Sequence, residues 1–429
     1  MKKRAAFHTL GCKVNQYDTE AMLESFERAG YEIVPFNSEA DVYLINTCTV
    51  TGTGDQKSLK LMRRIAREHP EAGIIAAGCL AQRDAEKILA MDNVRLVIGV
   101  QRRSEVVELY EEALCTGSDI NAVSGLKNAS FESLFVARHE GKTRATMKIQ
   151  EGCDRYCSYC IIPYVRGPVR SMHIDNVRTE AKRLADAGYK EIVVTGIHLG
   201  SYGRGEDFTL IDAIKAVHDT GARVRIGSLE PITVTDEFAR ELSMLPNLMR
   251  QFHLSMQSGS DTVLKRMHRR YNSAEYMRAV ETIRRYMPDS ALTTDVIAGF
   301  PGETDEEHNE TMAFVEKVAF ARIHVFPYSR RSGTVADRLE NQVNEETKKI
   351  RAQELINLGN KLELRFVKDI ENTVQTVLFE TEDGEFSEGY TQHYVRVRAR
   401  AVPGEISDVI IRCAEGKTAI GEAYPTNGR

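Results

Sequence analysis

Residues 151–160 read EGCDRYCSYC, which places Cys153, Cys157 and Cys160 within eight residues. This run directly follows a predicted strand, Ala145 to Gln150, so the cysteines lie on a loop at the carboxyl end of that strand. Ligand sites of parallel α/β folds gather at this end. Three thiolates on one short loop can wrap a metal or cluster, and no fourth Cys or His follows nearby, as a zinc site would need. The spacing therefore predicts a cluster with one open coordination position rather than three cysteines buried for packing.

The segment around this loop repeats a strand-and-helix unit, which is typical of a βα barrel. Six strands are predicted rather than eight, so we expect an open, partial (βα)6 barrel in an α/β protein. The predicted strands are Ala145–Gln150, Glu191–Thr195, Arg223–Ser228, Gln251–Met256, Leu292–Ala298 and Ala321–Phe326.

The N-terminal part alternates β-branched runs with helical patterns, which predicts a doubly wound, open parallel sheet. Its predicted strands are Arg4–Thr9, Asp41–Asn46, Gly73–Ala77 and Val94–Gly99, and its predicted helices are Asn15–Ala29, Gln56–His69 and Arg83–Met91. Cys12, Cys48 and Cys79 each follow one of these strands. Because parallel strands end at one edge of a sheet, we expect the three thiols to converge there as a second cluster site. The alternative is that they are unrelated buried thiols.

The C-terminal part changes to short strands with turn signals, which predicts a small all-β barrel. A charged helix, Asn344–Lys368, leads into it, and Asp383-Gly384 is a predicted hairpin turn. The predicted strands are Thr373–Glu380, Tyr390–Ala401 and Asp408–Cys413. We therefore divide the chain into residues 1–125, 126–367 and 368–429.

Composition narrows the class of protein. The chain has 429 residues, a net charge of −5 and 42% hydrophobic residues, so whole-chain charge indicates no polyanion partner and any nucleic-acid surface must be local. No membrane-length apolar run or signal peptide pattern is evident. We expect a cytoplasmic protein without membrane association, in which the cysteines stay reduced.

Cys115 and Cys413 lie outside both groups of cysteines and are expected to be structural.

The loop follows a pattern of CxxxCx, then an aromatic residue, here Tyr159, and then a final Cys. This pattern resembles the hallmark of the radical S-adenosylmethionine (SAM) superfamily. The resemblance implies that Cys153, Cys157 and Cys160 hold a 4Fe-4S cluster that binds SAM and cleaves it to a carbon radical. Several strand ends look like the superfamily's SAM-contacting segments, against the alternative of ordinary loops. The expected cofactor-binding residues are Tyr159, Gly196, Glu230, Gln257, Ile297 and Gly299.

The segments Thr9–Gln16, Asn46–Val50 and Gly78-Cys79 resemble the methylthiotransferases, whose N-terminal domain carries a second 4Fe-4S cluster. The resemblance implies that two clusters face one cavity and that the protein inserts a methylthio group at C2 of a modified adenosine in transfer RNA. The run Gly-Cys-Lys-Val-Asn-Gln looks most like the branch that acts on N6-threonylcarbamoyladenosine. Sister branches act on isopentenyladenosine or on an aspartate of a ribosomal protein, and a zinc-stabilised RNA-binding protein is a remote alternative.

The C-terminal barrel resembles a TRAM domain, a module linked to RNA binding. Strand alternation puts Arg396, Arg398 and Arg400 on one face, where they can contact phosphate or form an ordinary solvated face. Two further basic runs, 63–67 and 265–270, are candidates for the same role. The expected partners are tRNA, an electron donor and a sulfur source, the last two unidentified, and we expect a monomer.

Overall fold

The computed structural model describes residues 2–136 and 143–424, and its N-terminal part is a six-stranded parallel sheet in the order β2-β1-β3-β4-β5-β6. The central strands β3 and β4 are buried along their whole length because helices cover both faces. The strands are β1 (Arg4–Thr9), β2 (Glu32–Val34), β3 (Val42–Thr47), β4 (Gly73–Gly78), β5 (Val94–Ile98) and β6 (Ile120–Asn121), and the helices are α1 (Lys13–Arg28), α2 (Gly52–Glu68), α3 (Cys79–Arg83), α4 (Ala85–Leu89) and α5 (Val106–Thr116).

The middle part is an open barrel whose parallel strands run β7-β9-β10-β11-β12-β13. Parallel bridges from Val224 to Leu248 and from Leu229 to Leu254 join its two halves, and the two-residue strand β8 pairs antiparallel with β7. The strands are β7 (Arg144–Glu151), β8 (Arg170–Ser171), β9 (Glu191–Gly196), β10 (Arg223–Ile226), β11 (Gln251–His253), β12 (Ala291–Ala298) and β13 (Arg322–Pro327).

Helices cover the outside of this barrel and bury one large apolar core against its strands. They are α6 (Ile162–Arg166), α7 (Ile174–Asp186), α8 (Leu210–His218), α9 (Asp236–Ser243), α10 (Asp261–Arg266), α11 (Ser273–Tyr286), α12 (Asp305–Val318) and α13 (Glu345–Asp369). The long helix α13 packs Leu355 and Leu362 into this core and Val367 into the core of the C-terminal barrel. It therefore fixes the two barrels to each other.

The C-terminal part is a closed barrel in the order β14-β15-β16-β18-β17. Its strands are β14 (Val374–Asp383), β15 (Phe386–Thr391), β16 (Arg396–Ala399), β17 (Ile406–Glu415) and β18 (Thr418–Ala423). The predicted α/β fold, with its open sheet, its open six-stranded barrel and its small β barrel, is confirmed.

Some local predictions were wrong. Tyr390–Ala401 is two strands, because the Thr391 hydroxyl accepts the backbone N–H groups of His393 and Val395 and Tyr394 adopts a φ of 64°. The helix predicted over 83–91 covers only α4, and Asp84 separates it from α3, which was not predicted. The edge strands β2, β6 and β8 were not predicted, since two or three residues carry no periodic signal; β18 was also missed.

The proposed domain boundaries remain predictions. The one after residue 125 falls between β6 and β7, and the one after residue 367 falls in the last turn of α13. Across the described residues, each helix is too short or too polar to span a lipid bilayer.

The turn from β7 into the cysteine loop depends on Gly152. Its φ is 76°, and a Cβ atom there would lie 1.8 Å from the carbonyl oxygen of Pro168. A side chain at this position would therefore force the loop and the Pro168 backbone apart.

We predict that Gly152→Ala lowers the free energy of unfolding by roughly 3 kcal/mol or more, since left-handed strain and a backbone collision add. Gly117→Ala is the matched control, because Gly117 has a φ of 66° and a Cβ atom there would have no neighbouring atom within 4 Å; strain alone should cost it about 1 kcal/mol. Guanidinium unfolding of the two variants provides the comparison, and equal losses would contradict the collision.

Candidate metal and cofactor site

The first cysteine group lies on the loop between β7 and α6. The Cys153 N–H donates to the Gly167 carbonyl (3.0 Å), and the Cys160 N–H donates to the Cys157 carbonyl (2.9 Å). Burial raises the pKa of the Cys153 thiol to about 11 and that of Cys160 to about 12, and the neighbouring Cys157 adds to both increases. Without added positive charge these thiols are neutral. A metal cluster supplies that charge, so the group fits a cluster bound through thiolates.

Arg269 reaches the same loop from the segment after α10. Its Nη1 donates to Cys157 Sγ (3.1 Å) and its Nη2 lies 2.9 Å from Glu230 Oε1. Glu230 Oε2 also pairs with Arg155 Nε (2.7 Å) and lies 2.8 Å from His198 Nε2. Burial alone would raise the pKa of Glu230, but His198, Arg269 and Arg155 lower it to about 2. Glu230, which follows β10, is therefore an ionised centre that ties the cysteine loop to the segments after β9 and α10.

The other predicted cofactor-binding residues lie at the carboxyl ends of the barrel strands. Tyr159 and Ile297 pack in one apolar cluster with Phe300. Gln257 has a φ of 69° and accepts the Ile297 N–H (2.8 Å). Gly196 ends β9 against the Gln150 side chain, and the Gly299 N–H donates to Glu303 Oε1 (2.9 Å). Their role as SAM contacts stays a prediction.

The second cysteine group lies at the carboxyl edge of the N-terminal sheet. Cys12 is the N-cap of α1, Cys48 follows β3, and Cys79 follows β4 as the first residue of α3. A Cβ atom on Gly11 would lie 2.9 Å from Cys48 Sγ, so the two loops touch. Burial raises the pKa of the Cys79 thiol to about 11, and Cys12 and Cys48 contribute to the increase. The three thiols thus converge as the strand pattern predicts.

Arg166 connects the two cysteine groups. This fully buried side chain lies on α6, and its Nε donates to Cys79 Sγ (3.2 Å). Its Nη1 pairs with Asp18 Oδ2 on α1 (3.1 Å) and with Glu151, two residues before Cys153. Cys79 also shares an apolar cluster with Ile161 and Val165, which follow Cys160. The two groups therefore meet at one interface between the N-terminal sheet and the barrel.

The interface contains further buried charges. Lys148 Nζ lies 2.5 Å from Asp18 Oδ1, and Arg103 pairs with both Asp18 and Glu151. Burial alone would raise the pKa of Asp18 and Glu151, but Arg103, Lys148 and Arg166 hold both below their usual values. Because each of these cations pairs with at least one buried carboxylate, the network holds the two units in one orientation.

The barrel contacts the N-terminal part at a second place, beside Cys48. Arg331, in the loop after β13, pairs with Asp55 Oδ2 (2.6 Å) and donates to the Thr49 hydroxyl. Thr49 follows Cys48 directly. The carboxyl edge of the N-terminal sheet therefore lies against the barrel at two places, beside Cys48 and beside Cys79.

A partly open cavity of about 380 Å³ lies between the barrel strands β10–β13, α13 and the turn at His393 and Tyr394. Lys13, next to Cys12, lines it together with Arg225, His253, His324 and Tyr394. The N-terminal end of α1 thus borders the interior of the barrel.

Within residues 2–136 and 143–424, no set of three or more His, Cys, Asp or Glu side chains is arranged to hold a single metal ion. A 4Fe-4S cluster is a larger group, whose cysteine ligands bind separate irons.

Sequence reasoning missed Arg155 and Arg166, and it placed Arg269 only in a basic run proposed for RNA. Arg166 does carry a signal, because it is the charged residue that ends the mostly apolar run Ile161–Val165. Asp18 carries one too, since it lies among the apolar positions of α1 and is buried. A charge inside an apolar pattern indicates a buried partner.

The predicted RNA-binding arginines point outward from the C-terminal barrel, as the alternation predicts. Arg396 pairs with Glu388, Arg398 with Asp383 (3.2 Å) and Arg400 with Glu385 (2.7 Å). Their charge is therefore balanced by the neighbouring hairpin. The basic run 265–270 is not a continuous surface either, because Arg269 is buried at the cysteine loop and Arg266 pairs with Glu307.

Two family models match the chain. Residues 4–99 match the model described as uncharacterized protein family UPF0004, and residues 147–315 match the radical SAM superfamily. The first span contains Cys12, Cys48 and Cys79, and the second contains Cys153, Cys157 and Cys160.

Curated relatives cover most of the chain. The threonylcarbamoyladenosine tRNA methylthiotransferase MtaB of Bacillus subtilis is 41% identical over 94% of this chain and 92% of its own length. The protein of the same name from Thermotoga maritima is 37% identical over 92% of this chain and 91% of its own. The tRNA-2-methylthio-N(6)-dimethylallyladenosine synthase of Natranaerobius thermophilus is 35% identical over 87% and 84%.

Among solved structures, the radical SAM methyltransferase TsrM of Kitasatospora setae has a TM-score of 0.56 at 13% identity, covering 76% of this chain and 72% of its own. At this identity the likeness concerns the fold alone.

We predict that Arg166→Met lowers the free energy of unfolding by about 3–5 kcal/mol, because it removes buried charge-assisted hydrogen bonds to Asp18, Glu151 and Asn15. Arg178→Met is the control, since the pair of Arg178 with Asp175 is exposed and should cost at most about 1 kcal/mol. Guanidinium unfolding measures both, and a small loss for Arg166→Met would show that the network does not stabilise the interface.

Proposed function

The chain belongs to the tRNA methylthiotransferase family of radical SAM enzymes, and we propose that it inserts a methylthio group at C2 of N6-threonylcarbamoyladenosine next to the anticodon of tRNA. The observation that carries the choice of substrate is the 41% identity to the Bacillus subtilis relative over 94% of this chain. A radical SAM enzyme uses SAM and a 4Fe-4S cluster, and the convergence of two three-cysteine groups supports a second cluster.

In this proposal Cys153, Cys157 and Cys160 hold the cluster that binds SAM, and the second cluster is held by Cys12, Cys48 and Cys79. When bound, the cofactors supply radical and sulfur chemistry at an aromatic C2 position, whose hydrogen is not acidic enough for a protein base to remove.

The protein's own residues position these groups. Arg269 holds the Cys157 thiol and Arg166 holds the Cys79 thiol, each at hydrogen-bond distance. Glu230 keeps Arg155 and Arg269 in place, with its carboxylate ionised. Among the predicted SAM contacts, Tyr159 and Ile297 offer apolar surface and Gln257 a carboxamide, while Gly196 and Gly299 allow close backbone approach.

A second candidate substrate is adenosine with a dimethylallyl group on N6. It is favoured by the relatives named dimethylallyladenosine synthases, such as the one from Natranaerobius thermophilus at 35% identity. The N6 substituents of the two candidates differ in charge, which makes them separable by experiment.

The remaining partners follow from the chemistry. We propose a one-electron donor for the SAM-binding cluster, a sulfur source for the second cluster, a monomeric state, and the cytoplasm as the compartment in which tRNA and reduced thiols coexist. The C-terminal β barrel is consistent with a TRAM domain and would contact the same RNA.

The exposed face of α2 is the surface we propose for tRNA phosphates. It presents five cations, Lys57, Lys60, Arg63, Arg64 and Arg67, and α2 begins four residues after Cys48. Among the described residues, no carboxylate pairs with Lys57, Lys60 or Arg63, whereas Arg396, Arg398 and Arg400 are all paired. Unpaired cations attract phosphate more strongly.

We predict that tRNA from cells lacking this gene loses the methylthio form of threonylcarbamoyladenosine, as measured by liquid chromatography and mass spectrometry of nucleosides. The intact gene should restore it. Cys157→Ala should abolish SAM cleavage, and Cys48→Ala should leave cleavage but stop sulfur insertion, because the two residues serve different clusters.

Cys413→Ala is the matched control, since Cys413 is an exposed free cysteine on β17. It should keep full activity and the iron content of the wild type, expected at roughly eight atoms per chain for two four-iron clusters. An unchanged nucleoside profile on deletion would refute the tRNA assignment, and loss of the dimethylallyl derivative instead would establish the second candidate.

We predict that the triple variant Lys57→Gln, Lys60→Gln, Arg63→Gln binds tRNA more weakly, with a salt dependence reduced by about one unit of slope per lost phosphate contact. The triple variant Arg396→Gln, Arg398→Gln, Arg400→Gln provides the comparison and should change binding less. Filter binding between 50 and 200 mM salt, a roughly fourfold range of ionic strength over which such affinities change strongly, measures both. A larger effect of the second variant would move the RNA surface to the C-terminal barrel.

A further inference from the structure

The cavity inside the open barrel has walls from all three parts of the chain. The inward-facing residues of the strands form one side, and the turn at His393 and Tyr394 of the C-terminal barrel forms another. Lys13, at the start of α1, completes the wall. Its volume of about 380 Å³ is enough for a small organic group.

The charges in this wall are not balanced. Arg225 pairs with Glu191 (2.7 Å), and Arg322 pairs with Glu363 (2.6 Å). Lys13 has neither an ion pair nor a hydrogen bond to its side chain among the described residues. The cavity therefore contains one ammonium group without a counter-ion.

Two buried polar atoms in the same wall are also unsatisfied. His393 is 94% buried, and its Nδ1 has no hydrogen-bond partner in the described residues. His253 Nε2 likewise makes no hydrogen bond, although Asp295 Oδ2 lies 3.4 Å away. Unsatisfied buried polar atoms beside a free cation indicate a polar, anionic ligand.

We propose that this cavity binds the carboxylate of the N6-threonylcarbamoyl group of the substrate adenosine, with the Lys13 ammonium as its counter-ion. The inference rests on the proposed function and names the residue that selects among N6 substituents. Because Lys13 follows Cys12, an adenine whose C2 lies at the second cysteine group can place its N6 substituent near Lys13. The carboxylate gains a charge-assisted contact there.

The same arrangement rejects an apolar substituent. A dimethylallyl group in the cavity would remove water from Lys13 and offer no hydrogen bond in return, which is unfavourable for a charged group. Lys13 is thus a specificity-determining residue and is not needed to hold either cluster.

The test compares two anticodon stem-loop RNAs, one with the threonylcarbamoyl carboxylate and one with that carboxylate converted to a carboxamide. Fluorescence anisotropy measures their binding to the enzyme carrying its clusters, and turnover gives KM and kcat for each RNA. The wild type should prefer the carboxylate by about 10- to 100-fold in affinity and KM, with kcat nearly unchanged. In Lys13→Gln the preference should fall to within about 3-fold, and Lys13→Arg should retain it.

Lys182→Gln, on the exposed surface of α7, should behave as the wild type. Iron content and SAM cleavage must stay unchanged in Lys13→Gln. If Lys13→Gln loses iron, the test rests on the wild-type enzyme alone. Equal affinity of the wild type for the carboxylate RNA and the carboxamide RNA overturns the proposal. A preference that survives in iron-replete Lys13→Gln overturns it as well. Failure of the proposed function looks different: the wild type would then methylthiolate a dimethylallyl RNA and not the threonylcarbamoyl RNA.

Discussion

The contact of Arg166 with Cys79, Asp18 and Glu151 is the interaction on which the arrangement of the site depends. Glu151 immediately precedes the turn into the first cysteine loop, and Cys79 belongs to the second cysteine group. One guanidinium therefore fixes the distance between the two groups. A buried arginine suits this role because its planar fork holds five N–H donors in a fixed geometry, whereas a lysine ammonium has three. Removing Arg166 would take away the cation that bonds Asp18, Glu151 and Cys79 together.

The two cysteine groups follow one electrostatic rule. In each, burial raises the thiol pKa, and a buried guanidinium lies at hydrogen-bond distance from one sulfur: Arg269 at Cys157 and Arg166 at Cys79. Positive charge near a thiol favours the thiolate, which is the form that binds metal. Carboxylates in turn hold the guanidiniums, Glu230 on one side and Asp18 on the other. The protein thus surrounds its apolar thiol pockets with paired charges.

The open barrel explains why the N-terminal sheet can take part in the same site. Six strands leave β7 and β13 unpaired with each other, and α1 lies against β7 through the pair of Lys148 with Asp18. The start of α1 then lines the cavity of the barrel, so that Lys13 meets residues such as Arg225 and Tyr394 from the other two parts. Local pattern predicts the strand ends and the cysteines well, because each depends on neighbours in sequence. It predicts neither the free ammonium of Lys13 nor the buried Arg269, whose surroundings come from distant segments.

The sequence by itself determined the three-part α/β architecture and the two sets of three cysteines, since strand period, helix period and cysteine spacing are local properties. It also placed Arg396, Arg398 and Arg400 on one face of a strand. Only the tertiary structure decided that these arginines are paired with acidic neighbours, that Arg166 joins the two cysteine groups, and that Lys13 faces a cavity without a counter-ion. Charge compensation depends on which groups meet across space, and a pattern along the chain does not carry that information.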